Sequence, residues 1–201
     1  MNEIKLKGFI RDIKPSHVIN GIEYDKANLI VPRENGVEDV INIRFKKFSN
    51  FYRENQEIDL IGNVRSYSQQ MENGKNKVDI YVFTYFDRPD NEPTNNNEFE
   101  ADGRICKLDD IRVLKNGKSN VHFILANNLE FGDNGQKLNS YLPCIAWGKL
   151  AKQIRNMKVN DKIKIHGKLQ SREYKKFYAE NEFDIKVAHE VYVDSIDIIS
   201  E

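Results

Sequence analysis

The sequence has few of the features that define several protein classes. Its two cysteines, Cys106 and Cys144, form no CxxC pair, so they offer neither a disulfide framework nor a zinc site and fit a reducing cytosol. No run approaches the ~18 consecutive apolar residues of a membrane span, and the N-terminus lacks the apolar core of a secretory signal. We therefore expect a cytoplasmic protein that does not contact a membrane.

Catalytic and cofactor motifs are missing as well. The four histidines show no metal-ligand spacing, either with one another or with cysteine. The eleven glycines form neither GxxxxGK[ST] nor GxGxxG, the loops that hold nucleotide phosphates. No two carboxylates stand in an acid–base signature. We therefore expect no enzyme activity, no metal and no cofactor.

The sequence also lacks a net charge, because 31 Lys and Arg balance 31 Asp and Glu. Taken alone, this balance argues against a polyanionic partner. The charge is nevertheless unevenly distributed. Residues 137–176 hold eleven Lys or Arg against two acidic residues, a local net charge of +9, whereas residues 177–201 carry −6. The basic segment is a candidate surface for nucleic acid.

What the sequence does contain is strand-like alternation on both sides of a polar segment. Residues 87–97 read DRPDNEPTNNN, with two prolines and no apolar residue, which is typical of a linker. Alternation such as Ile4 and Leu6 against Lys5 and Lys7 predicts strands that bury one face. We therefore expect two small β-domains, residues 1–86 and residues 98–201.

The two halves also resemble each other. NEI at 2–4 recurs as NEF at 97–99, NG at 20–21 recurs at 116–117, and GNVRS at 62–66 recurs as GKLQS at 167–171. Three matches in the same order predict duplication of one domain of about 90 to 100 residues. The alternative is that short strand and turn segments match by chance.

The pattern of the second half predicts the order of elements in one copy. We expect strands at 99–114, 119–128, 141–147, 162–175 and 182–199, a polar loop before Ser140 and a helix at 148–157. Five strands with a helix between the third and fourth is the order of an OB-fold, a small Greek-key barrel. The expected fold class is all-β: two tandem OB-fold barrels with one short helix per domain.

Three motifs in the second half carry a family resemblance. They are FILANNLEF at 123–131, YLPCIAWGKLAKQI at 141–154 and DKIKIHGKLQSREY at 161–174. Together they resemble the bacterial-type single-stranded DNA-binding proteins, over residues 97 to about 199. Members of that family stack bases on aromatic side chains at four places. Matched motif by motif, the resemblance puts these places on Phe131, Tyr141, Trp147 and Tyr174.

Cations accompany the aromatic positions. Ile163, Ile165 and Leu169 share the core parity of the predicted fourth strand, which leaves its lysines on the other face. The residues expected to neutralise phosphate are Lys149, Lys162, Lys164, Lys168, Arg172, Lys175 and Lys176. Two alternatives stay open: the charges form a solubilising face, or Tyr141 and Trp147 pack in the core.

The same alignment predicts that the first half is a degenerate copy. Its outward fourth-strand positions include Glu57 and Asp59, which would repel phosphate. Trp147 aligns with Phe45, and Tyr141 aligns with Asp39. The helix-like spacing of Phe45, Phe48 and Tyr52 indicates core packing for a nearby patch, residues 44–53. We expect this half to form a dimer surface, position the second domain, or bind nucleic acid weakly through that patch.

The favoured function is sequence-tolerant binding and protection of single-stranded DNA in replication, recombination or repair. A tandem-OB primosome or replication adaptor that contacts mainly proteins is the alternative, and an OB-fold for structured RNA is a third. Family members bring four barrels together, so a homodimer of two-barrel chains is expected. Their acidic C-terminal tail has no counterpart after DIISE (residues 197–201), so replication proteins would need another surface.

Overall fold

The computed structural model describes residues 1–47, 52–70, 76–87, 96–131, 136–179 and 182–199. Its elements are β1 (Asn2–Ile19), β2 (Ile22–Pro32), β3 (Glu38–Lys46), β4 (Glu57–Gln70), β5 (Asn76–Asp87), β6 (Asn97–Leu108), β7 (Arg112–Val113), β8 (Ser119–Phe131), β9 (Gln136–Trp147), α1 (Gly148–Arg155), β10 (Lys162–Ala179) and β11 (Glu182–Ile198). None of the helices in the described parts of the chain is long and apolar enough to cross a membrane.

The strands close into two barrels of the same topology. In the first, β1 pairs antiparallel with β2 and β4, β2 pairs with β3, and β4 pairs with β5. A parallel pairing of Ile43 with Val82 closes the barrel between β3 and β5. Strands β6, β8, β9, β10 and β11 repeat the scheme, and Val191 opposite Cys144 closes it. The expectation of two tandem OB-folds is confirmed.

The cores follow the predicted alternation. Ile4, Leu6 and Ile10 are buried in the first barrel, and Ile163 and Ile165 are buried in the second. The neighbours of these residues along each strand point away from the core, because successive side chains of a strand face opposite sides. The alternation therefore fixes which side chains are available on the outer faces.

The two barrels share unusual details at equivalent positions. The side chain of Asn2 binds the backbone of Val64 through two hydrogen bonds of 2.7 and 2.9 Å. Asn97 binds Leu169 in the same way, at 2.6 and 3.0 Å. Gly8 and Gly103 both lie so close to the neighbouring strand that a Cβ would collide with a carbonyl oxygen. These correspondences match the offsets of the sequence repeat.

The barrels pack against each other around an approximate twofold axis. Residues 2–6 of β1 pair antiparallel with residues 97–101 of β6, so one sheet runs through both barrels. The Ser66 hydroxyl accepts a hydrogen bond from the Tyr141 backbone N–H at 2.7 Å. The Ser171 hydroxyl accepts one from the Val40 N–H at 2.9 Å. Each barrel thus extends its fourth strand onto the third strand of the other.

Several predicted boundaries are wrong. The predicted polar loop between 128 and 140 is largely strand, because β8 continues to Phe131 and β9 begins at Gln136. Its residues pair across the hairpin, as Asn128 does with Asn139, although few of them are apolar. The first predicted strand ends at Leu108, and α1 ends at Arg155.

Two expectations fall largely outside the described residues. The helix expected in the first half falls partly on residues 48–51, which lie outside them, and the described residues 52–56 contain turns and no helix. The predicted linker falls mainly on residues 88–95, which also lie outside the described residues, while Asp87 ends β5 and Asn97 begins β6.

Candidate nucleic-acid interface

Strand β9 places two of the four predicted stacking residues on the outside of the second barrel. Leu142, Cys144 and Ala146 are buried in the core. Tyr141 and Trp147 have the opposite parity, and Tyr141 is 50% exposed while Trp147 is half-buried. Core packing of Tyr141 is therefore excluded. Gly148 follows Trp147 with φ of +58°, a left-handed conformation that favours glycine where the strand turns into α1.

The other two predicted stacking residues lie on extensions of the barrel. Tyr174 is 40% exposed on the β10–β11 arm, defined as residues 171–179 and 182–189, where these two strands continue past the barrel. The guanidinium of Arg172 lies 5.8 Å from the Tyr174 ring. Phe131 ends β8, with its backbone opposite Gln136, and its side chain is outside the described part of the structure.

The predicted phosphate contacts fall into two groups. Lys149, Arg172, Lys175 and Lys176 are exposed, whereas Lys162, Lys164 and Lys168 are half-buried on β10. Lys168 pairs with Tyr192 on β11, and Tyr192 pairs with Ile145 on β9. Lys168 is therefore the β10 lysine whose register leads across the sheet toward Trp147, two residues beyond Ile145.

Carboxylates on neighbouring strands engage several of these cations. The ammonium of Lys164 lies 2.7 Å from Glu100 on β6, and Arg172 lies 3.4 Å from Glu190 on β11. His166 also lies 3.1 Å from Glu100. The row of β10 cations is thus partly neutralised by side chains across the sheet. Parity along one strand cannot reveal such partners, because they come from distant parts of the sequence.

The strand register of the structure shifts the sequence alignment of the two barrels by one residue at the third strand. Tyr141 lies opposite Ala126 and Trp147 opposite Asn120. At the equivalent positions of the first barrel, Ile30 lies opposite Val40 and Tyr24 opposite Lys46. Val40 and Lys46, rather than Asp39 and Phe45, therefore occupy the positions of Tyr141 and Trp147. The aligned segments share no motif that could have fixed this register.

The patch at residues 44–53 divides between core and surface. Phe45 is buried and packs edge-on against Tyr52, with ring centroids 4.5 Å apart. This confirms core packing for the two described aromatics, although Phe45 belongs to β3 rather than to a helix. Phe48 and Phe51 lie outside the described residues.

The first barrel carries an aromatic and cationic surface that the sequence reasoning missed. Its members are half-buried and lie on the outer sides of β1 to β5; they are His17, Tyr24, Arg44, Arg65, Tyr81 and Phe83, here called the arginine–aromatic face. The available signal was the alternation of Tyr81 and Phe83 with Ile80 and Val82. It was missed because the aromatics lie on β2 and β5 rather than on β3 and the arm.

Polar contacts hold the β10–β11 arm against the first barrel. Arg33 donates to Asp39 at 2.8 Å, and this hydrogen bond raises the pKa of Arg33. Asp39 in turn accepts a hydrogen bond from the Ser171 backbone at 2.6 Å. His189 on the arm donates to the Val40 carbonyl at 2.8 Å, and burial lowers its pKa. The arm base is thus fixed to the other barrel.

The described residues offer little for metal or thiol chemistry. Among them, no group of three or more His, Cys, Asp or Glu side chains is placed to hold a metal ion. Burial raises the pKa of the Cys144 thiol, which favours the unreactive protonated form. Burial raises the pKa of Cys106 as well.

Comparisons with known proteins agree with this geometry. The model of the single-strand binding protein family matches residues 96–199, slightly more than half of the chain. Single-stranded DNA-binding protein 2 of Clostridium acetobutylicum is 30% identical over 74 residues, which are 36% of this chain and 56% of that protein. The match therefore spans little more than half the length of this relative.

Two solved structures of the single-stranded DNA-binding protein from Thermus aquaticus are similar over the whole chain. The wild-type structure has a TM-score of 0.74 at 16% identity, covering 100% of this chain and 94% of that one. A deletion mutant has a TM-score of 0.72 at 17% identity, covering 100% and 95%. At these identities the likeness shows the fold, including the arrangement of both barrels.

Proposed function

Because the chain belongs to the single-strand binding protein family, we propose that its second barrel binds single-stranded DNA and performs no chemistry on it. The observation that carries this proposal is the parity of β9. Leu142, Cys144 and Ala146 fill the core, which leaves Tyr141 and Trp147 on the outer face. Unpaired bases expose π-faces that stack on such rings.

The proposed mechanism separates stacking from charge neutralisation. Trp147, Tyr141 and Tyr174, together with Phe131, stack bases, and each stack contributes about 1–3 kcal/mol whatever the base. Phosphates are neutralised mainly by Lys149, Lys168, Lys175 and Lys176, and less by Arg172, whose guanidinium lies 3.4 Å from Glu190. Lys162 and Lys164 contribute less, because they pair with β6 and Lys164 is already bound to Glu100. Binding of this kind tolerates any sequence.

The biological role that follows is protection of exposed strand during replication, recombination or repair in the cytoplasm. Two chains, each with two barrels, would assemble four barrels as a homodimer. Replication proteins would then be recruited through protein surfaces outside the stacking residues. These assignments rest on the family resemblance and on the two-barrel fold.

One observation favours the adaptor alternative. The tip of the β10–β11 arm exposes apolar side chains on one side: Phe177, Phe183, Ile185 and Val187. The Phe177 and Phe183 rings lie 5.5 Å apart, and Lys175 lies 4.3 Å from the Phe183 ring. An exposed apolar cluster is typical of a protein-binding site. An adaptor would bind through this cluster and need no outward Trp147.

A titration with fluorescently labelled oligo-dT distinguishes the two functions. Anisotropy of the label reports binding, and emission of Trp147, the single tryptophan, reports contact with β9. The proposal predicts a rise in anisotropy with quenching of Trp147. Binding with unchanged Trp147 emission would move the site away from β9, and no binding at low salt would leave the adaptor function.

A further inference from the structure

The arginine–aromatic face is a layer of planar side chains across the first barrel, several of which contact one another. The His17 and Tyr24 rings stack with centroids 4.8 Å apart and an interplanar angle of 6°. Tyr24 lies 5.9 Å from Phe83, and the guanidinium of Arg65 lies 4.0 Å from the Phe83 ring centroid. The guanidinium of Arg44 lies 3.9 Å from the Tyr81 centroid. Planar groups from all five strands thus meet on one surface.

This layer is outside the core. Ala27 and Leu29 of β2, Ile43 of β3, and Ile80 and Val82 of β5 are buried. The face residues on these strands have the opposite parity and point outward. They are half-buried, so each retains part of its surface toward solvent. The guanidinium groups of Arg44 and Arg65 lie over the Tyr81 and Phe83 rings.

Cations flank the layer. Lys26 is exposed on β2 opposite Arg44, and Lys46 is exposed on β3 opposite Tyr24. The acidic neighbour on β5 is Asp79, which lies beyond Tyr81 toward the β4–β5 hairpin. The outward side chains of β2 and β3 at this level therefore favour an anion.

Glu57 and Asp59, the carboxylates expected to repel phosphate, lie at the start of β4, away from Arg65. Asp59 pairs with Lys7 and Glu57 pairs with Phe9, both on β1. Arg65 is six residues further along the strand than Asp59, a separation of about 20 Å at the rise of a β-strand. Glu57 is exposed and Asp59 half-buried. Their distance from Arg65 is more than twice the Debye length of about 8 Å at physiological salt, so their field at this face is weak. Glu57 and Asp59 therefore do not exclude phosphate from this face.

We infer that the arginine–aromatic face is a second contact surface for single-stranded DNA, so that one strand binds both barrels of the chain. This inference rests on the proposed function of the second barrel. Single-stranded nucleic acid fits because its bases stack on aromatic rings and on guanidinium planes, while its phosphates need the flanking lysines. Duplex DNA hides its base faces, and an acidic peptide has few planar groups to stack.

The position of the face supports a shared path. Lys46 occupies the place of Trp147, so both surfaces lie on the same side of equivalent barrels. In the first barrel the aromatic residues of this surface lie on β1, β2 and β5, and Lys46 stands at the third-strand position. A strand that continued from Trp147 to the corresponding place in the other barrel would meet planar groups there.

A relocated tryptophan tests this contact directly. The test uses a double variant. Trp147→Phe keeps an aromatic ring on β9, and Tyr24→Trp then places the single tryptophan on the arginine–aromatic face. Saturation with labelled oligo-dT long enough to span both barrels should quench its emission. The matched control is Phe9→Trp in the same background, because Phe9 is exposed on β1 where that strand pairs with β4. Its emission should not change.

The outcomes separate this inference from the proposed function. Quenching of Trp147 in the wild type without quenching at position 24, while anisotropy shows saturation, would overturn the second surface alone. Quenching at position 24 without quenching of Trp147 would keep the second surface and overturn the assignment to the second barrel. Absence of any binding by anisotropy would overturn both.

A second experiment measures how much strand each chain covers. Arg44→Ala with Arg65→Ala removes both guanidinium planes, and Lys5→Ala with Lys7→Ala is the control that removes two cations from β1. Titration of poly-dT gives the number of nucleotides covered per chain. This number should fall in the arginine variant and stay at the wild-type value in the lysine variant. An unchanged number in a folded arginine variant contradicts the second surface.

Discussion

The two barrels use the same scaffold and place most of their outward aromatic residues at different positions. The second barrel carries Tyr141 and Trp147 on β9 and Tyr174 on the β10–β11 arm, and the predicted stacking residue Phe131 ends β8. The first barrel carries His17 on β1, Tyr24 on β2, and Tyr81 and Phe83 on β5. At equivalent positions of the third strand, Trp147 in one barrel is matched by Lys46 in the other. The difference shows that equivalent faces of two barrels with the same topology can carry planar and cationic groups at different positions.

Both barrels should lose a similar amount of stability when the equivalent buried asparagine is replaced. This is the largest effect that we predict. Asn2→Ala and Asn97→Ala each leave two buried backbone groups unpaired, at Val64 and at Leu169. Each substitution should lower the free energy of unfolding by about 2–4 kcal/mol. Urea denaturation measures the loss. A clear loss for one asparagine only would break the structural equivalence of the barrels.

The functional difference at the third strand gives the next largest effect. Trp147→Ala should weaken oligo-dT binding by about 1–3 kcal/mol, because one stacking platform is removed. Lys46→Ala, at the equivalent place in the first barrel, removes only a charge and should cost less. Trp147→Phe should retain most of the affinity. Anisotropy at fixed salt compares the three, and an equal loss for Trp147→Ala and Lys46→Ala contradicts the comparison.

Much of the second barrel could be predicted from sequence, and less of the first. Alternation identified the cores, and the motifs identified Tyr141 and Trp147, because side-chain parity along one strand is a local property. The partners of Lys164 and Arg172 could not be predicted, since Glu100 and Glu190 meet them only across the sheet. The equivalence of Val40 with Tyr141 and of Lys46 with Trp147 depends on strand register. The alignment of the weak sequence repeat was wrong by one residue there.

Two lysines in the first half of β10, Lys164 and Lys168, should also differ, with a smaller effect. Lys168→Gln removes a cation whose register leads toward β9, so the slope of log K against log salt should shrink by about 0.7, one phosphate contact. Lys164→Gln removes a cation already paired with Glu100 and should change the slope less. Salt titrations of both variants measure this. A larger change for Lys164→Gln would place the phosphate path next to β6.

The contact between the barrels should depend weakly on pH. Burial lowers the pKa of His189, although Val40, Asp39 and Asp79 partly oppose the shift. The unfolded chain therefore binds more protons than the folded one below pH ~6.5, and stability should fall as the pH drops through that range. His17 contributes in the same direction, because burial and then Arg44 lower its pKa.

His189→Gln isolates the contribution of the arm residue His189 to the pH dependence of stability. Glutamine can still donate to the Val40 carbonyl but does not titrate. Urea denaturation at pH 7.5 and pH 5.5 should show a smaller loss of stability in the variant than in the wild type. Equal losses in both proteins would remove His189 from the pH dependence and leave it to His17.

We propose that the outer face of β9 binds the unpaired strand. Titration of the wild-type chain with labelled oligo-dT, followed by anisotropy and by Trp147 emission together, tests this placement. We predict that both signals change with the same midpoint, whatever the base composition of the oligonucleotide. Saturating anisotropy with constant Trp147 emission would contradict the claim.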